Sequence, residues 1–155
     1  MRRLAIISAL MCPLLVGCSS TPKPAPPADA MKVAQQFLSS IKNKLPQDYC
    51  ATFLPSVRYG AATDLNQQSC IKAAALWMAG VPSRGLRSID AGEIKFAGDY
   101  LGQLDEAPFQ LSRNGRLTFH FKNGGQLVLE QEQVQDDSKQ MAWKVDVDAS
   151  GFTGP

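Results

Sequence analysis

The chain has 155 residues, 45% of them hydrophobic and 19% charged, with a mean hydropathy of -0.14 and a formal net charge of +2. This is the make-up of one soluble domain, and no run reaches the roughly 18 apolar residues of a membrane-spanning helix. Without Arg2 and Arg3, fourteen basic residues face fourteen acidic ones, so the rest of the chain has no basic excess to draw nucleic acid or anionic lipid.

Arg2 and Arg3 precede an apolar run from Leu4 to Val16, the layout of a secretory signal. The run ends in Leu15-Val16-Gly17-Cys18, which resembles the bacterial lipobox. In a lipobox the cysteine thiol receives a diacylglycerol and the peptide bond before it is then cut. The resemblance implies a signal peptide over residues 1–17 and a lipidated, palmitate-bearing Cys18 at the mature N-terminus. Behind it, "SSTPKPAPPADA" is too rich in proline to fold and favours an extended spacer of about 3 Å per residue, a tether over residues 18–28. Serine at position 19, where aspartate would favour inner-membrane retention, implies an outer-membrane protein facing the periplasm if the organism has two membranes.

Asp29 is expected to cap a first helix from about Ala30 to Lys44, with Val33, Phe37, Leu38, Ile41 and Leu45 as its apolar stripe. Pro46 breaks it. "PQDYCATFLP" reads as a short second helix from about Gln47 that stops before Pro55, and "SVRYGAATD" as a loop. A third helix is expected from about Leu65 to Ala79, capped by Thr63 or Asp64, with Cys70, Ala73, Ala74, Trp77 and Val81 on one face. Gly80-Val81-Pro82 is its stop signal.

Cys12 lies in the signal and Cys18 in the lipobox, which leaves Cys50 and Cys70 in an exported domain where oxidising conditions hold. Both fall on apolar faces of consecutive helices, which favours a disulfide. A redox or metal pair is the alternative, but there is no C-x-x-C, and the single histidine, His120, is distant in sequence.

After Gly85 the period changes to two. "RSIDAGEIKFAG" reads as a strand that Gly92 interrupts, and "APFQLS" as a less regular one. "RNGR" and "NGGQ" are tight hairpin turns. Between them Leu117, Phe119 and Phe121 point one way and Thr118, His120 and Lys122 the other. "LVLEQEQVQ" and "QMAWKVDVD" are further strands. The last presents Met141, Trp143, Val145 and Val147 on one face and Lys144, Asp146 and Asp148 on the solvated one, and "ASGFTGP" is a loose tail. Helices followed by an antiparallel meander make an α+β domain over residues 29–150.

The order of a first helix, a short "DYCATFLPSVR" helix, "SCIKAAALWMAG" and strands closing in "WKVDV" resembles small exported lipoproteins with an NTF2-like (SnoaL-like, cystatin-like cone) fold. The resemblance implies helices packed on a curved antiparallel sheet, a cysteine pair joining the second and third helices, and a cone pocket between helices and sheet. Phe37, Phe53, Trp77, Phe119, Phe121 and Trp143, with Tyr49, are candidates to line that pocket or to form the core.

Some relatives of that fold are enzymes with an Asp, His or Tyr in an apolar cavity. Here His120 alternates away from Phe119 and Phe121, Asp99 and Tyr100 follow Gly98 as a turn, and Asp90, Glu93, Asp146 and Asp148 read as strand-surface charges. Gln135–Asp137 lacks calcium-loop spacing, Gly124-Gly125 belongs to a hairpin rather than a phosphate loop, and no G-x-S-x-G is present. The expectation is a non-enzymatic envelope lipoprotein with no cofactor and no metal. It would interact with an envelope protein or, alternatively, bind a small apolar or lipidic ligand; a small hydrolase- or isomerase-type enzyme is the third reading, and a homodimer is a further expectation.

Overall fold

Ala30, Ala34, Phe37, Leu38 and Ile41 form the buried stripe of helix α1 (Ala28–Asn43) in the computed structural model, which describes residues 24–53, 69–80, 91–133 and 141–150. Asp29 sits in the first turn, where its charge suits the helix dipole, but Pro27 occupies the cap position and no side chain bonds there. At the other end Lys44 takes a left-handed conformation (φ 55°), and the Leu45 N–H returns to the Ser40 carbonyl at 2.8 Å. Leu45 therefore leaves the expected stripe and is exposed.

Pro46 opens α2 (Pro46–Ala51), since at the first position of a helix its missing N–H costs nothing. Helix α3 (Ser69–Met78) buries Cys70, Ala73, Ala74, Trp77 and Met78, and Gly80 follows it at φ 69°. The expected start and cap of this helix, the "SVRYGAATD" loop and the Val81-Pro82 stop lie outside the described residues.

The segment expected to be a strand over "RSIDAGEIKFAG" is a helix from its fifth residue, α4 (Ala91–Gln103), continued by a 3-10 turn (Leu104–Glu106). Ile94 and Lys95 alternate with Phe96, but Phe96 is exposed, and the shielded positions are Ile94, Ala97, Tyr100, Leu101 and Leu104. That is helical spacing. Asp99 and Tyr100, expected in a turn, are mid-helix. Helix α4 packs on α1, where the stem of Lys42 lies on Gly98 at 3.8 Å from the place of a Cβ.

The sheet is a meander, β1 (Phe109–Leu111), β2 (Arg116–His120), β3 (Gln126–Gln133) and β4 (Met141–Asp146), each strand antiparallel to the next. Both described hairpins turn through a left-handed glycine, Gly115 at φ 74° and Gly124 at φ 86°. The register aligns Leu117 with Leu129 and Leu129 with Val145, and Phe119 with Leu127; all five are fully buried beneath the helices. Helix α1 packs against β4 and β3, and α2 against α1 and α3. The end of α2 also covers the edge of β4: the Val145 N–H donates to the Thr52 carbonyl at 2.7 Å, Phe53 pairs with Val145 in parallel, and Lys144 Nζ donates to the Ala51 carbonyl at 2.8 Å.

The last strand ends at Asp146, two residues sooner than its alternation suggests, and Val147–Ser150 forms one helical turn, α5. Ser150 explains the change of course. Its hydroxyl, itself buried, accepts the Val128 N–H at 2.8 Å and donates to the Asp146 carbonyl at 2.6 Å. Ser150→Ala leaves the Val128 N–H buried without its acceptor, and a loss of about 1–2 kcal/mol is expected in a urea melt. An unchanged midpoint would mean that water takes the place of the hydroxyl.

Candidate functional site

The six candidate aromatics are all buried, and most of them have rings as neighbours. Phe37, from the middle of α1, stacks on Tyr49 at 5.7 Å between centroids and leans on Phe53 at 5.9 Å. Tyr49 meets Phe53 edge-on at 4.3 Å and Trp77 at 5.4 Å. These distances are those of favourable aromatic pairs. The bridge from Cys50 to Cys70 joins α2 to α3 directly beside Tyr49 in the chain, so both cysteines of the pair are structural and buried. Phe119 packs with Phe109 at 6.4 Å, and Phe121 lies flat against Tyr100 at 4.1 Å and 10°.

Burial pushes the Tyr49 phenol far above the ordinary tyrosine range, and the negative charge of Glu93 pushes it the same way. Glu93 is therefore a half-buried residue of the first turn of α4 beside the aromatic cluster, not a strand-surface charge. Inside the cluster the indole Nε1 of Trp77 is buried and has no hydrogen-bond partner among the described residues.

His120 points away from Phe119 and Phe121, as the alternation requires, yet it is half-buried rather than solvated, and its Nε2 is shielded without a partner among the described residues. Asp99 is exposed on α4. Asp146 accepts from Arg116 at 3.1 Å, and Arg116 also pairs with Glu130, so an ion ladder crosses β2, β3 and β4 on the outer face. Exposed pairs of this kind contribute under about 1 kcal/mol. The described residues contain no group of three or more His, Cys, Asp or Glu side chains placed to hold a metal ion. Asp90, the Gln135–Asp137 turn and the lipidation candidate Cys18 lie outside the described residues, as does the side chain of Asp148.

Sequence reasoning missed Tyr100 and Ser150. The signal for Tyr100 was the spacing of Ile94, Ala97, Leu101 and Leu104, in which alanine counts as an apolar position. Ser150 carries no such signal, since its role arises from a contact 22 residues away.

Two shallow open depressions flank the end of β1. The larger, about 510 Å³, is lined by Pro27, Leu111, Arg113, Gln131, Met141 and Trp143 among others. The smaller, about 400 Å³, lies by Gln110, Leu111, Arg116 and Thr118. Of the six candidate aromatics, Trp143 alone lines either one. Met141, expected on the buried face of β4, is the strand's first residue and is 51% exposed. Compared with protein-family models, with curated proteins and with solved structures, the chain has no match.

Proposed function

We propose that this chain is a lipid-anchored envelope protein, held through Cys18 at a Pro-rich tether, whose NTF2-like cone domain serves as a non-catalytic docking unit for another envelope protein. The outer membrane, facing the periplasm, is its place in an organism with two membranes. The observation that carries the docking reading is the contact of ring with ring between helices and sheet. Phe37, Tyr49, Phe53 and Trp77 already pack ring against ring, and Tyr100 covers Phe121. A ligand there must displace aromatic pairs, each contributing about 0.5–1.5 kcal/mol beyond its buried area. The outer sheet face instead carries Arg116, Glu130 and Asp146 in a ladder, and the exposed Arg116 offers a charged group to a partner.

One observation favours a second reading, a small apolar or lipidic ligand within the cone. The Trp77 indole N–H is buried without an acceptor among the described residues, and a ligand oxygen would satisfy it. Native mass spectrometry of residues Ser19 to Pro155, exported to an oxidising compartment, separates the two. A bare mass, followed by one specific crosslinked protein in membranes, is the expected result. A bound small molecule released on denaturation overturns the docking reading in favour of the ligand.

The anchor is tested separately. The mature protein is expected to begin at Cys18 with a thioether-linked diacylglycerol in its mass, and Cys18→Ser to accumulate as the unprocessed full-length chain. A processed parent chain without lipid overturns the anchor.

A further inference from the structure

The larger depression lies where the tether arrives. Pro27, the residue before α1, forms part of its wall together with Leu111 and Met141, which are 54% and 51% exposed. The remaining exposed large hydrophobics, Leu45, Ile71 and Phe96, sit on or beside helices and do not line it. Arg113 and Asn114 stand at the tip of the β1–β2 hairpin beside it, Trp143 closes its floor, and none of the lining residues is acidic. Cys18 is nine residues before Pro27. At about 3.1 Å per residue, an extended proline-rich spacer of that length reaches roughly 28 Å.

From this we propose that the face formed by Leu111 and Met141, with Trp143 beneath them, rests on the lipid bilayer, so that the anchored domain lies against the membrane in a fixed orientation. The proposal rests on the anchor reading given above. A domain of this size has a diameter of roughly 35 Å, so a tether of that length favours the face around Pro27 as the one nearest the lipid. Two exposed apolar side chains bind a membrane weakly in free solution, but an anchor makes that step intramolecular, and a weak contact then suffices. Arg113, exposed at the hairpin tip beside this face, suits the headgroup layer, where a cation finds polar partners. The exposed side chains of Leu111 and Met141 make the attraction apolar, and salt is expected to leave it unchanged.

The test uses the full mature chain in vesicles of phosphatidylethanolamine and phosphatidylglycerol. Cys18 is acylated and Cys50 and Cys70 are joined, so a nitroxide can be placed on Arg113→Cys at the hairpin tip or on Lys72→Cys, an exposed position on α3. Both sites are exposed, and neither substitution disturbs the core. Collision of the nitroxide with oxygen, relative to a polar nickel complex, is expected to be higher at position 113 than at 72, in low and high salt alike. The difference is expected to be lost in the Leu111→Asp, Met141→Asp double variant, whose thermal midpoint controls for folding. A lipidated chain with both labels equally in water overturns the proposal alone, as does shielding of position 113 that appears only with a second copy or a partner protein. A chain whose mass shows no lipid overturns the anchor reading and this proposal with it.

Discussion

Replacing Cys50 and Cys70 together by alanine is expected to lower the unfolding free energy by about 3 kcal/mol, because the bridge closes a loop of 20 residues and restricts the unfolded chain. The native state loses little else, since alanine fits the space and both positions are buried without polar partners to orphan. The bridge also ties α3 to α2, whose last residues hold the edge of β4 through Thr52 and Phe53. The effect should therefore spread to the sheet rather than stay local. Urea unfolding of the oxidised parent and the double variant checks this. The variant's midpoint should fall, and its slope should rise because an uncrosslinked chain exposes more surface. With both sulfurs buried, reduction of the parent should require opening and run slowly in native buffer. Equal midpoints for parent and variant would remove the bridge from the account of stability.

Gly125→Ala is expected to cost about 2–3 kcal/mol by overpacking. A Cβ at that position would stand 1.6 Å from the Tyr100 hydroxyl and 2.4 Å from the ring carbon that bears it. Tyr100 has little room to retreat. It is buried, lies flat on Phe121 and has Phe96 on its flank. Gly125 is therefore required for space, whereas Gly124 beside it is required for its positive φ and has nothing near a Cβ. Tyr100→Phe removes the closest atom but leaves the ring, so the double variant should recover part of the loss. Thermal melts of the four members of this cycle give the coupling. A Gly125→Ala protein as stable as its parent would show that Tyr100 swings aside freely.

The parts of the fold that were legible rest on local chemistry. Asn114-Gly115 and Asn123-Gly124 mark the hairpins because glycine alone takes the left-handed turn residue cheaply, and Leu117, Phe119 and Phe121 show the strand face by alternation. Helix α4 was not legible. Gly92, Gly98 and Gly102 lower its intrinsic helicity, and Ile94-Lys95-Phe96 imitates a strand. Packing on α1, with the stem of Lys42 on Gly98, decides the outcome. The turn at Val147 is of the same kind, since Val145-Asp146-Val147-Asp148 alternates and only the bond from Ser150 to Val128 redirects the chain. At the candidate site the burial of Phe37, Phe53 and Trp77 follows from apolar spacing. Their mutual stacking does not, because it depends on how three helices meet.

The two edges of the sheet are unequal. The β4 edge is occupied by Thr52 and Phe53, while no described strand lies beyond β1, which is three residues long. A chain that can gain a neighbour on one side only cannot propagate. Two such edges can meet about a two-fold axis and close upon each other, but no third copy finds a template. Wherever copies of the chain collide, this asymmetry limits self-association by strand addition to a pair and guards against fibrils.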